Sequence, residues 1–228
     1  MSALPSWTSP VYATDEDILV RAGGDFGTLC PGWQVMAAGN DGAFAAGLPW
    51  TLSSGSVNFS ANGVAPNQVV WLKGPPAAFP GGGQFLAIDS VNNFSLSLRR
   101  AHKDLNVGAP PAPAAGLTGV IFTVNTLDPQ TEEATYQIKQ RFNIDENMPQ
   151  RTSAWLYDAR QFRLAVILTV LQARYTQEAR GDRGDFPRKI DLLRHDLGDC
   201  ISQLNVRWGP LGDSAGPTNI FSCRIFRG

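Results

Sequence analysis

Charged residues are spread very unevenly along this chain, and that pattern restricts its fold more than any other feature. Residues 26–127 carry seven of the 39 charged side chains, whereas residues 128–228 carry 27. Glycine and proline are also concentrated in the middle block. A charge-poor, turn-rich block followed by a charged block indicates a β-rich domain at 26–127 followed by helices.

The middle block is predicted to form about five short strands. Asn92-Asn93 is a tight-turn signal and predicts a hairpin between the strands on either side of it. Short strands separated by glycine and proline turns are typical of a small β-barrel or a sandwich, and the pattern does not choose between the two. The predicted strands are 56–59, 68–72, 84–88, 94–98 and 120–124.

A short helix is predicted before this block. Thr14 is a good N-cap, Asp17 stands three residues later as in a capping box, and Gly23-Gly24 can end the helix. So short a helix needs a partner to pack against. We therefore predict that residues 11–25 join residues 128–208 in a discontinuous helical bundle, with 26–127 as an inserted domain.

The last block carries clear helix signals. Asp128-Pro129 is an N-cap followed by proline at the first helical position. The apolar spacing predicts helices over 129–142, 153–179 and 187–208, of which the middle one is long. The fold class expected is thus α+β: a small helical bundle made of the first helix and these three, with the inserted barrel or sandwich and a strand-like C-terminal tail.

The long helix is apolar on two opposite faces. One stripe contains Trp155, Phe162 and Val166, and the other contains Leu168 and Leu171. Such a helix is sandwiched between two partners, either within one subunit or between subunits. The candidate residues for packing in a bundle or a ring are Trp155, Phe162, Val166, Leu168, Leu171 and, in the third helix, Leu197.

Residues 209–228 are interpreted as a linker and a C-terminal docking arm. Gly209-Pro210 stops the preceding helix, and a strand-like segment follows a linker rich in Gly, Ser and Pro. Such a tail can pair with the sheet edge of another chain, or it can pack on its own barrel. The candidate docking residues are Ile220, Phe221, Arg224, Ile225 and Phe226.

Several classes of protein are disfavoured by the residues present. A net charge of -1 argues against a sequence-independent nucleic-acid binder. The three cysteines and two histidines are too few and too scattered for a disulfide framework or a metal site. The tripeptide Gly82-Gly83-Gln84 is interpreted as a turn before a strand. We predict no catalytic residue, no cofactor and no metal, and the longest apolar run is too short to span a membrane.

The first helix carries a resemblance to a known family. The segment Tyr12-Ala13-Thr14-Asp15-Glu16-Asp17-Ile18-Leu19-Val20-Arg21 resembles the opening Y-A-T-x-x-D-L helix of the head-to-tail adaptor (connector or head-completion) proteins of tailed bacteriophages. The four predicted helices fit the small helical bundle of that family. The β block and the C-terminal tail depart from its minimal pattern.

The resemblance implies a structural protein of the virion neck, made in the host cytoplasm. Copies would form a homo-oligomeric ring, commonly a dodecamer, beneath the portal protein. The ring would contact downstream neck or tail proteins, and double-stranded DNA would pass through its channel without sequence specificity. Two alternatives remain: a structural protein of the tail or baseplate, and a small cytosolic hydrolase.

Overall fold

The chain forms two compact units. The computed structural model describes residues 11–79, 82–101, 116–148, 151–153, 156, 158–179, 185–204 and 206. One unit, the barrel unit, is Thr14–Asp128. The other, the helical unit, combines Met1–Ala13 with Pro129–Gly228. The fold class is α+β, as predicted.

Six antiparallel strands close into a barrel. Their order around it is β1-β2-β5-β4-β3-β6, and β1 closes the sheet by pairing with β6. The choice between a barrel and a sandwich is therefore settled in favour of the barrel. The strands are β1 (Val35–Phe44), β2 (Thr51–Ser53), β3 (Val69–Lys73), β4 (Gln84–Val91), β5 (Ser95–Arg99) and β6 (Val120–Asn125).

The barrel is filled by side chains from alternate positions of its strands. Val70 and Leu72 of β3 point inward with Phe122 and Val124 of β6, and all four are fully buried. The ring of Phe59 fills the space beside Phe122, with their centroids 5.5 Å apart. Because the interior is packed solid with apolar side chains, the barrel is a hydrophobic core.

Two strands were missed by the sequence prediction, and one predicted strand is wrong. β1 contains Gly39 and Gly42 and is interrupted by register shifts, so it lacks the β-branched pattern of a strand. The predicted strand 56–59 belongs to a loop. That loop is held by the carboxylate of Asp41, which accepts hydrogen bonds from the Ser54 hydroxyl at 2.8 Å and the Ser56 amide at 2.9 Å.

The predicted hairpin between β4 and β5 is confirmed. Val91 pairs with Leu96, and the Asn92 amide donates to the carbonyl of Ser95 at 2.8 Å. The turn that precedes β4 is also as interpreted. Gly82 and Gly83 both have positive φ angles, of 89° and 153°, and such angles favour glycine.

The first helix belongs to the barrel unit, which differs from the predicted grouping of 11–25 with the C-terminal helices. α1 (Asp15–Ala22) leads through a 3-10 turn into the single-turn α2 (Phe26–Leu29), and α1 packs against β3. Val69 in β3 and Ala87 in β4 lie outside the barrel interior yet are fully buried. The contact with β3 gives α1 a partner within the barrel unit.

Local contacts fix the start of α1 as the sequence suggested. The carboxylate of Asp17 accepts a hydrogen bond from the Thr14 amide at 3.0 Å, which is the reciprocal contact of a capping box. Glu16 forms a bidentate ion pair with Arg99 of β5. The helix is therefore tied to the barrel by charge as well as by apolar packing.

The helical unit contains three long helices after the barrel. They are α3 (Asp128–Arg141), α4 (Phe162–Ala179) and α5 (Phe186–Gln203), and α4 packs against α5. The prediction for 153–179 is wrong at its start. Asp158 has an extended backbone, and its side chain accepts from the Arg160 amide, which begins a 3-10 turn that leads into α4.

Three further details complete the helical unit. α5 ends at Gln203, because Leu204 turns to an extended conformation, and the predicted helix to 208 is too long. Near the start of α4, the ring of Phe162 stacks on Tyr12 at 5.2 Å and contacts Phe142 at 5.3 Å. Among the helices in the described ranges, none combines the length and apolarity needed to cross a membrane.

Candidate functional site

A groove runs between the three long helices of the helical unit. Its main part has a volume of about 530 Å³, and a smaller hollow of about 290 Å³ shares four lining residues with it. Glutamine and threonine side chains form much of the lining, and aliphatic side chains of α3 and α5 form its apolar part. The lining residues of the main part are Gln137, Ile138, Arg141, Thr169, Gln172, Ala173, Thr176, Gln177, Leu197 and Ile201.

The charged side chains that line the groove and the hollow are two arginines. Arg141 lies at the C-terminal end of α3 and is exposed. Arg194 of α5 lines the smaller hollow and forms an exposed ion pair with Asp191 at 3.1 Å. An exposed pair of this kind contributes little stability and is easily exchanged for another partner. The lining therefore offers both apolar contacts and hydrogen-bonding groups.

The predicted packing residues fall in three places. Phe162, Val166, Leu168 and Leu171 are all buried in α4. Leu197 is half-buried in the wall of the groove. Trp155 lies outside the described residues. Burial within one chain does not test packing between subunits, so the ring contact stays a prediction.

The C-terminal docking residues cannot be placed in the same way. Ile220, Phe221, Arg224, Ile225 and Phe226 all lie outside the described residues, as does the whole predicted arm at 209–228. The alternatives of pairing with another chain or packing on the barrel both remain.

A partly buried polar cluster in the helical unit joins the C-terminal half of α3 to the segment that follows it. Lys139 has a side chain only 6% exposed and binds Glu146 at 2.8 Å. Ser153 hydrogen-bonds to Glu146 through its hydroxyl, and the Tyr12 hydroxyl lies 3.0 Å from the Ser153 hydroxyl. The Lys139 ammonium also lies 5.5 Å from the centre of the Tyr12 ring, a cation–π distance.

The ionisation of this cluster follows from its contacts. Burial alone would raise the pKa of Glu146, but hydrogen bonds from Lys139 and Ser153 outweigh it and hold the pKa below its usual value. Burial raises the pKa of Tyr12 to about 12, against the hydrogen bond with Ser153 and with the help of the Glu146 charge. At neutral pH, Glu146 is therefore ionised and Tyr12 is protonated. Their hydrogen bonds hold the segment after α3 against that helix.

Sequence reasoning missed this cluster, although a signal was present. The buried positions of α3 are Thr131, Ala134, Thr135, Ile138 and Lys139, which follow the i, i+3, i+4, i+7 spacing of one helix face. A lysine on that face has to be paired, because an isolated buried charge is too costly. The carboxylate seven residues later, Glu146, fills that role.

The other described side chains that could take part in catalysis or metal binding do not form a site. His195 is exposed and pairs with Asp199 at 3.3 Å on one face of α5. Glu132 and Glu133 are exposed on α3. Within the described ranges, no three His, Cys, Asp or Glu side chains lie together as a metal would require.

Comparisons with known proteins do not add an assignment. No family model, no curated protein sequence and no solved structure matches the chain.

Proposed function

We propose that this protein is a structural neck adaptor of a tailed bacteriophage virion. In this proposal, copies form a ring beneath the portal, commonly twelve-fold, and link the head to the tail. Residues 128–208 supply the ring-forming helices, and the barrel is an outer or tail-facing addition. Residues 209–228 act as a docking arm, and double-stranded DNA passes through the channel.

The observation that carries the proposal is the set of contacts made by Tyr12–Asp17, the segment that resembles the adaptor family. Tyr12 stacks on Phe162 of the helical unit. Asp17 closes the capping box with Thr14. The Oδ1 atom of Asp15 accepts a hydrogen bond from the Leu127 amide at 2.7 Å. Tyr12, Thr14 and Asp17, which match specified positions of the Y-A-T-x-x-D-L pattern, therefore have structural roles at the start of α1, and this supports the proposal. Asp15 stands at one of the unspecified positions of the pattern.

The proposal places a contact between subunits on α4. The stripe that contains Leu168 and Leu171 is buried, yet Leu164 at its N-terminal end is 46% exposed. On α5, Leu192 is 61% exposed. In the proposal, a neighbouring subunit covers Leu164 at the open end of this stripe.

The overall charge is compatible with a DNA channel. The net charge of the chain is -1. A strongly basic channel would hold the phosphates by releasing counterions and would slow the passage of DNA. A near-neutral protein avoids that attraction.

The direct experiment is to mix the purified protein with the portal complex of the same genome and to image the mixture by electron microscopy. Native mass spectrometry of the protein alone would give its oligomeric state. We expect a ring on the tail-side face of the portal, even if the protein alone is a monomer. A discrete monomer or dimer that ignores the portal would favour the alternatives, a tail or baseplate component or a hydrolase.

Two variants locate the contacts. Leu164→Asp places a charge at the open end of the α4 stripe and should prevent ring formation while the chain stays folded. Gln140→Asp introduces the same charge at an exposed position of α3 and should leave the ring intact. Deletion of 212–228 should weaken binding to the portal or the tail component. Unchanged binding after that deletion would eliminate the docking arm.

A further inference from the structure

Asp15 ties together the two places where the chain passes between its units. Those passages are the 13–14 and 128–129 peptide links, since the barrel unit is Thr14–Asp128. Asp15 lies one residue inside the first link, and Leu127 lies one residue inside the second. The hydrogen bond from the Leu127 amide to Oδ1 of Asp15, at 2.7 Å, joins these positions across 112 residues of sequence.

The carboxyl group of Asp15 is in an unusual state. The residue is fully buried, and its Oδ2 atom has no hydrogen-bond partner among the described residues. A buried carboxylate with an oxygen that has no partner is costly because its charge is removed from water, whereas the protonated carboxyl carries no charge. The geometry therefore favours the protonated form.

The charged groups around Asp15 act in the same direction. Asp128, at the start of α3, is close enough to repel its negative charge, and Asp128 itself accepts a hydrogen bond from Gln68 at 2.9 Å. On its own helix, Glu16 is bound by Arg99 of β5, and Asp17 caps Thr14. The ionisable side chain of β3, Lys73, lies at the opposite end of that strand from Val69.

Thr126 and Leu127 also lie beside Asp15, and their hydrogen bonds favour its ionised form. Burial is the largest influence and, with the Asp128 charge, raises the pKa of Asp15 from 3.8 to about 7. Hydrogen bonds from the Leu127 amide and from Thr126 lower it in part. The midpoint falls in the ordinary physiological range.

We propose that Asp15 is a proton-operated latch on the two chain links: the buried arrangement that holds Leu127 beside the start of α1 is stable when Asp15 is protonated and is weakened when Asp15 is ionised, because the Leu127 amide offsets only part of the cost of burying the charge. The direction follows from linkage. A group whose pKa is higher in the closed state stabilises that state fully at pH values below 3.8, and the stabilisation is lost as pH rises through about 7. The proposal stands independently of the neck-adaptor function.

Hydrogen exchange of the Leu127 amide in the full-length protein tests the latch. After correction for the intrinsic exchange rate, we expect protection to fall by up to about tenfold per pH unit between pH 5 and pH 7, and to level off above that. Asp15→Asn keeps an acceptor for the Leu127 amide but cannot ionise, so its protection should not depend on pH. Asp185→Asn removes an exposed carboxylate and should behave as the unmodified protein does.

Two results would overturn the proposal. One is pH-independent protection of Leu127 in the unmodified protein, and the other is an unchanged pH dependence in Asp15→Asn. If Asp15→Asn does not fold, carboxyl-carbon NMR of the unmodified protein decides the question: a titration midpoint of Asp15 near 7 supports the latch, and a midpoint below 5 rejects it. Asp128→Asn should shift that midpoint downward, because it removes the neighbouring charge.

Discussion

At position 42 the barrel has room for a hydrogen atom and nothing larger. A Cβ atom added to Gly42 would lie 2.6 Å from the carbonyl oxygen of Val120 and 3.0 Å from Cδ1 of Leu52. The oxygen belongs to the backbone of β6, the strand that closes the barrel against β1. It cannot move without disturbing that closure.

We therefore expect Gly42→Ala to destabilise the protein by about 1–3 kcal/mol, the usual cost of overpacking. Gly24→Ala is the matched control, because nothing lies within 4 Å of a Cβ at that position. It should be neutral or stabilising by about 0.4–1 kcal/mol. Urea unfolding of both variants measures the difference, and equal stabilities would contradict the tight closure of β1 on β6.

The pair of Lys139 and Glu146 gives a residue-scale prediction that depends on pH. Glu146→Gln removes the carboxylate that binds the buried Lys139 ammonium at 2.8 Å, so we expect a loss of about 1–3 kcal/mol at pH 7. Because the pKa of Glu146 is held below its usual 4.5, its stabilising effect is present above that pH and is lost as pH falls through the folded-state pKa.

The check is chemical unfolding at pH 7 and at pH 3, with Glu132→Gln as the control for an exposed glutamate of α3. The difference between the unmodified protein and Glu146→Gln should shrink at pH 3, while Glu132→Gln should stay close to the unmodified protein at both. A loss that is the same at both pH values would show that charge is not the cause.

At the scale of elements, a helix or strand could be predicted from the sequence when the residues that determine it are close to it in the chain. The β4–β5 hairpin and α3 were predictable because Asn92-Asn93 and Asp128-Pro129 act on their immediate neighbours. β1 was not predictable, because its glycines are required by the close approach of Phe122 and Val120 on another strand. The start of α4 was missed for a different reason, since the cap at Asp158 interrupts an apolar stripe that continues past it.

α4 also permits a direct test of which side faces the core. Phe162 is fully buried between Tyr12 and Phe142, whereas Leu164, two residues later, is 46% exposed. Phe162→Ala should cost about 3–5 kcal/mol, and Leu164→Ala should stay within about 0.5 kcal/mol. Thermal and urea unfolding of the two variants would reject this orientation of α4 if their losses were similar.

At the scale of the whole molecule, the sequence pattern located the change in architecture near residue 128 but not the one near residue 14. The charge shift at 128 is visible in composition. The assignment of α1 depends on its packing against β3, and no local pattern reveals that an outward strand position such as Val69 is buried. The groove was likewise unpredictable, because it is assembled from α3, α4 and α5.

The assignment of α1 to the barrel predicts how the chain can be divided. The buried core of the barrel lies wholly between Ala37 and Val124, so a fragment of residues 14–128 contains the entire core together with α1 and α2. It should fold alone and unfold cooperatively. A fragment of residues 26–127 lacks the buried Ile18 and Leu19 and the ion pair between Glu16 and Arg99.

Loss of the two apolar side chains alone should cost roughly 3–6 kcal/mol, a large part of the stability of a domain of this size. We therefore expect the shorter fragment to unfold at a clearly lower temperature, or to fail to fold, when both are followed by circular dichroism. Restoring α1 by extension to residue 14, with Ile18→Ala as the intermediate case, should recover stability in steps. Equal melting temperatures for the two fragments would show that α1 is dispensable to the barrel and would return it to the helices after residue 128.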